Sequence, residues 1–220
     1  MAAHSIRNPA PRLVTAVKVA VFLLALVPAT RLAIGIYQAA VLGEDALGTN
    51  PAEFVTRSLG DWALRLLLIT LAVTPLRLAT GWAWLVRLRR MLGLFAFFYV
   101  LLHVSSYVSF DQLFSVSGIA KDIAKRPFIT VGFLSLVLLL PLAATSTRGM
   151  VRRLGSRRWQ WLHRLIYVIG PLAVLHFWWM VKRDLTEPIV YAVVLTVLLG
   201  VRLMRLRRAP RAVFQGGIAK

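Results

Sequence analysis

Residues Arg158–Asp184 read RWQWLHRLIYVIGPLAVLHFWWMVKRD. The middle of this stretch is a run of aromatic and aliphatic residues long enough to cross a bilayer as a helix, which takes about 20 mostly apolar residues. Set into it are two of the chain's 4 histidines, His163 and His176. Ionisable side chains at such depth are costly and are commonly retained for a function.

The rest of the chain has the same character. Of its 220 residues, 59% are hydrophobic, and the mean hydropathy is +0.72, whereas soluble domains are closer to half apolar. Five more apolar stretches reach spanning length. The expected fold is all-α: an integral membrane bundle of six transmembrane helices at roughly 13–36, 60–79, 91–110, 127–145, 159–181 and 189–206, with residues 1–220 forming one domain. Turn-forming residues separate the spans at Gly43, Asn50–Pro51, Gly81, Lys125–Pro127 and Glu187–Pro188. The first span lacks a small-residue cleavage site, so it is expected to be retained rather than removed as a signal peptide.

Charge orients the bundle. Six spans place both termini on one side. If that side is the cytoplasm, the inside segments hold about two thirds of the 27 Lys and Arg residues, including Arg77, Arg87, Arg89, Arg90, Arg148, Arg152 and the tail from Arg202 to Lys220. The outside segments then hold only Arg57, Lys121, Lys125, Arg126, Lys182 and Arg183. The positive-inside rule therefore gives cytoplasmic termini in a multi-pass protein of the cytoplasmic membrane. The net charge of +19 does not imply a nucleic-acid partner. Its basic residues are juxtamembrane and interleaved with Trp82, Trp84, Trp159 and Trp161, a pattern that anchors a protein to anionic lipid.

The chain has no cysteine, which excludes iron–sulfur clusters and leaves histidine as the available ligand for haem. At 1.5 Å per residue, His103 lies about 18 Å along the third span, entered from inside. His163 and His176 lie about 6 and 25 Å along the fifth. His103 and His176 can thus share one level in the outer half of the bilayer, where two imidazoles on neighbouring helices could clamp one haem. His163 lies near the inner face, at the level of a second, stacked haem. Constant helical winding leaves His163 and His176 about 140° apart around the helix, an objection that a kink at Gly170–Pro171 could remove. The alternative for each histidine is a structural hydrogen bond or a place on a proton path. No Asp or Glu falls in mid-span, which argues against a proton-coupled transporter, and no GxGxxG fingerprint of a nucleotide domain is present.

Several strings carry a more specific signal: GDWALRLLLITLAVTPLR, RRMLGLFAFFYVLLHVSSYVSFD, TSTRGMVRRLGSRRWQWLHRLIYV and HFWWMVKRD. Over residues 13–208 the chain resembles the MsrQ (YedZ) family, haem-binding membrane subunits of periplasmic methionine sulfoxide reductase systems, within the ferric-reductase-like transmembrane group. The resemblance implies an electron-transfer subunit that is not itself the catalytic one. Its electrons would come from a cytosolic flavin reductase or the quinone pool and pass to a periplasmic molybdopterin enzyme, MsrP. The implied cofactors are haem b, one or two per chain, and FMN. The implied axial ligands are His103, His176 and His163. Arg77, Arg87, Arg89, Arg90 and Arg164 inside, and Arg126, Lys182 and Arg183 outside, are candidates for haem propionates or a flavin phosphate, with interfacial snorkelling as the alternative. The wider group places two histidines on each of two helices, whereas the third span here has one. The fourth position falls near Arg89–Arg90, so an inner site would be five-coordinate, weakly occupied or given over to flavin. The rival readings are a stand-alone transmembrane ferric or quinone reductase and a haem-free transporter or scaffold.

Overall fold

The computed structural model describes residues 9–181 and 183–208. His4, Arg7, Lys182 and the tail from residue 209, and with them the expected cytoplasmic termini, lie outside the described residues. Those residues form helices joined by short turns, with no strand among them.

Helix α1, Pro11–Tyr37, runs on through a widened turn at Gln38–Leu42. Helix α2, Pro51–Thr80, begins well before the expected residue 60, because Asn50–Pro51 is a helix start rather than a loop. The Asn50 side chain accepts the Glu53 amide at 3.3 Å and donates to the Glu53 carboxylate at 2.9 Å, with Pro51 in the first turn. Arg57, expected in an outside loop, therefore rides on α2. The helix stops at Gly81, whose φ of 72° suits glycine. Helix α3, Val86–Ser106, follows a tight turn at Ala83–Leu85 and extends through Tyr107–Asp111. An unexpected short helix α4, Val116–Lys125, is capped by Ser115. Then come α5, Pro127–Ala144; α6, Arg148–Leu154; α7, Ser156–His163; α8, Ile166–Met180; and α9, Thr186–Arg208.

Five stretches are long and apolar enough to cross a membrane: Pro11–Leu42, Pro51–Thr80, Ala83–Asp111, Pro127–Ala144 and Thr186–Met204. The fold is an all-α membrane bundle, but the expected span at 159–181 is not one helix. Between α7 and α8 the backbone winds three residues per turn. The bonds run from Arg164 to Trp161, Leu165 to Leu162, Tyr167 to Arg164 and Val168 to Leu165, at 2.9–3.1 Å.

The core is built on α2, where Leu59, Leu64, Leu67 and Leu71 are all buried. It packs most extensively against α3; α5 packs against α8, and α9 bridges α8 and α2. Helix α1 turns most of its apolar surface outward, as a helix in lipid does. It is held by Tyr99, the most buried large side chain. The Tyr99 hydroxyl donates to the Ala25 carbonyl at 2.7 Å and accepts the Ala29 amide at 3.0 Å. These are the two groups an α-helix would pair directly, so α3 inserts one hydroxyl into the ladder of α1 beside Pro28.

Candidate functional site

Tyr99 and His103 are one turn apart on α3, so the contact that ties α3 to α1 also fixes the height of His103. Its ring faces His176 of α8, with centroids 6.2 Å apart and planes at 74°. Each ring is oriented from behind by a backbone carbonyl. His103 Nδ1 lies 2.8 Å from the Thr56 oxygen on α2, and His176 Nδ1 lies 2.7 Å from the Phe128 oxygen on α5. A carbonyl can only accept, so both rings carry their proton on Nδ1 and present a lone pair on Nε2. That is the tautomer, with the supporting carbonyl, that a metal-bound histidine adopts.

Space for each ring comes from a glycine four residues beyond its carbonyl. A Cβ on Gly60 would stand 3.1 Å from His103 Nδ1, and one on Gly132 would stand 2.8 Å from His176 Nδ1. The two sides of the pair repeat one device: a helix offers its carbonyl at position i and leaves position i+4 bare. Two imidazole nitrogens binding one metal from opposite sides, each at about 2 Å, put their ring centres about 6 Å apart. The 6.2 Å spacing and the two free Nε2 lone pairs fit that arrangement. Sequence reasoning missed both glycines. Their only signal is the cost of glycine inside an otherwise Leu- and Val-rich helix, which asks for a reason.

Acidic residues gather at the same end of the bundle. Arg57, Asp61, Phe177, Met180, Asp184 and Glu187 line a shallow pocket, of which Asp61 and Phe177 adjoin Gly60 and His176 along the chain. The Thr186 hydroxyl and amide hold the Asp184 carboxyl below its usual range. Asp122 of α4 is buried, accepts from Tyr107 and Gln112 at 2.9 and 2.8 Å, and pairs with Arg126 at 3.2 Å. Arg126, one of the outside candidates, is thus already engaged, and Arg183 is exposed.

His163 sits apart from the pair, at the other end of the bundle. Its ring stacks on Trp159 with centroids 3.8 Å apart, and its Nδ1 lies 3.1 Å from the Trp159 oxygen. Its Nε2 is buried without a partner. Arg89 of α3 and the Leu142 carbonyl of α5 are its neighbours, the carbonyl lying outside hydrogen-bond geometry. Both histidines of the 158–184 stretch therefore look toward α3 and α5, and the expected 140° separation does not hold. Residues wound at three per turn advance 120° instead of 100°. About four of them add roughly 80° and bring the two side chains to about 60° apart. The change of winding lies at Arg164–Leu165, upstream of Gly170–Pro171.

Of the inner candidates, Arg89 is half-buried near His163, while Arg77, Arg87, Arg90 and Arg164 are exposed. The sequence reading grouped Arg202 with the basic inside tail, at the end of the expected span 189–206. In the structure it lies on α9 and is only 7% exposed. Its Nη2 donates to the Leu71 carbonyl. That carbonyl would serve residue 75 in an unbroken helix, but residue 75 is Pro75, which has no amide hydrogen.

Residues 59–174 match the family described as "Ferric reductase like transmembrane component". Over 197 residues the chain is 54% identical to the "Protein-methionine-sulfoxide reductase heme-binding subunit MsrQ" of Herminiimonas arsenicoxydans, covering 89% of this chain and 88% of that one. It is 56% identical over 212 residues to the subunit of the same name from Ralstonia nicotianae, covering 95% and 93%. It is 53% identical to that of Rhodospirillum rubrum, covering 89% and 92%. Identity at this level over most of both chains shows that this multi-pass membrane protein belongs to the MsrQ family, within the ferric-reductase-like group.

Proposed function

We propose that the chain, acting as one domain over residues 1–220, is a haem b-carrying electron-transfer subunit of the inner membrane. It takes electrons on the cytoplasmic side, from a flavin reductase or the quinone pool. It delivers them to a periplasmic molybdopterin enzyme of the MsrP kind that reduces methionine sulfoxide in oxidised proteins. The observation that carries this reading is the facing pair His103 and His176, each with Nδ1 spent on a carbonyl and Nε2 free. The names of the relatives agree with it, since they are heme-binding subunits of a methionine sulfoxide reductase.

In this reading His103 and His176 would hold a haem near the periplasmic face through their free Nε2 atoms. Haem held there supplies a one-electron couple. The chain's residues do the rest. Thr56 and Phe128 fix the ring tautomers, Gly60 and Gly132 admit the rings, and the apolar faces of α2, α3 and α8 exclude water. His163, with its unpartnered Nε2, marks a second site toward the cytoplasmic face for a five-coordinate haem or for FMN. Arg77, Arg87, Arg90 and Arg164 stand exposed around that face, where they suit anionic lipid or a docking reductase.

The test is a reoxidation assay. The purified subunit is reduced with limiting dithionite and then given methionine sulfoxide, with or without an added periplasmic molybdopterin reductase. Reoxidation only when the reductase is present is the expected result. Equal reoxidation by ferric citrate or a quinone, with none through the reductase, would replace the reading with a stand-alone reductase.

A further inference from the structure

The second buried feature of the bundle that calls for a ligand is Arg202. A guanidinium in a membrane span is costly unless its charge and all its donors are met. One requirement is met inside the protein: Nη2 serves the carbonyl that Pro75 leaves unpaired. The Arg202 guanidinium carbon also stands 5.6 Å from the centre of the Tyr167 ring. Nη1, however, is buried without a partner, and no carboxylate answers the charge. The ion pairs among the described residues are Arg57–Glu53 and Arg126–Asp122, both at the opposite end. The formal charge within electrostatic reach of Arg202 is another cation, Arg89.

His163 shares that neighbour. Among the described residues, four buried side-chain polar atoms lack a partner. Three of them, on Trp84, His163 and Arg202, are at this end of the bundle. Tyr167, whose ring stands by the Arg202 guanidinium, lies four residues beyond His163 on the same stretch of chain. Two cations and two orphaned donors, with no acid beside them among the described residues, call for something negative that the protein does not itself supply, and the His163 lone pair suits a metal at its side. Arginine, with its flat fork of donors, is suited to a carboxylate or a phosphate.

We infer that Arg202, assisted by Arg89, is an anion-binding subsite that takes the carboxylate or phosphate arm of the cofactor held beside His163. This deepens the proposed function and rests on it. A haem propionate and a flavin phosphate share the required chemistry, and the experiment separates them.

Arg202→Gln alone would confuse two roles, because it also abandons the Leu71 carbonyl. Pro75→Ala restores an amide at residue 75 and removes the need for Arg202 there. Wild type, Pro75→Ala, Arg202→Gln and the double variant are purified in detergent. Haem and flavin per chain, thermal stability and midpoint potentials are measured for each. We expect Pro75→Ala to match wild type in cofactor content. The double variant should recover the stability lost in Arg202→Gln. It should still bind the His163-end cofactor about tenfold or more weakly, since truncating one partner of a buried charged pair has that effect. What remains bound should show a more negative midpoint, because a lost positive charge disfavours the added electron. Loss of haem identifies a propionate, and loss of flavin a phosphate. A double variant with wild-type haem, flavin and potentials would overturn the inference and leave Arg202 only the partner of Leu71. Wild-type protein without haem or flavin would instead remove the reading on which the inference rests.

Discussion

Gly132→Ala tests the histidine pair without touching a histidine. The added Cβ would stand 2.8 Å from His176 Nδ1, 2.9 Å from Cε1 and 3.2 Å from Cγ. The shortest is roughly 0.6 Å inside ordinary contact, and the ring cannot retreat freely because Nδ1 is tied to the Phe128 oxygen at 2.7 Å. Two terms oppose each other. Alanine in a helix interior stabilises by about 0.5–1 kcal/mol relative to glycine. Overpacking costs about 1–3 kcal/mol, and a strained or lost hydrogen bond about 0.5–1.5 kcal/mol more. The net is about 1–3 kcal/mol against the native ring position, or roughly tenfold to a hundredfold in haem affinity if that position is the one that binds. Gly60→Ala should cost less, because its Cβ would meet His103 at 3.1 Å, where a shift of a few tenths of an ångström suffices. Gly93→Ala is the control. Its Cβ meets only Thr70 Cγ2 at an ordinary 3.6 Å, so it should raise the thermal midpoint slightly and keep full haem. Haem per chain and thermal midpoint in detergent read the series. If Gly132→Ala matched Gly93→Ala in both, the His176 ring would not lie where the structure puts it.

Three further outcomes follow from the packing. Tyr99→Phe removes the hydroxyl between Ala25 and Ala29; the two backbone groups can then pair directly, so the loss should be about 1 kcal/mol of stability with haem retained, and haem loss without destabilisation would contradict it. Asp122→Ala leaves Tyr107, Gln112 and Arg126 without their shared acceptor, and should speed tryptic cleavage at Lys121 and Lys125; an unchanged cleavage rate would show that the network does not hold α4. His163→Ala should leave the low-spin spectrum of the His103/His176 site intact while removing any second haem or flavin, and loss of that low-spin signal would place His163 in the wrong site.

Much of the architecture was legible because the bilayer imposes it. Apolar runs of spanning length located the long helices, and the rise per residue alone set His103 and His176 at one level. The misreadings came where local chemistry overrides composition. Asn50–Pro51 looks like a loop until Asn50 is recognised as an N-cap that accepts the Glu53 amide three residues on. The phase of His163 against His176 assumed uniform winding, and nothing in Arg164–Leu165 announces a tighter turn. Gly60 and Gly132 acquire meaning only once a histidine from another helix is placed against them. Arg202 was grouped with a basic tail because charge was counted along the chain, whereas its position is set by a carbonyl that Pro75 frees on a different helix. The short helix α4 escaped notice because it is too short and too mixed in composition to resemble a span.

The most direct measurement of the central claim is haem per chain, with the reduced-minus-oxidised spectrum, for wild type, His103→Ala and His176→Ala purified from haem-replete cells. The account predicts a low-spin b-type haem in wild type that is lost in both variants, while each still folds and remains in the membrane. A normal low-spin signal in either variant would contradict the assignment of His103 and His176 as partners on one iron.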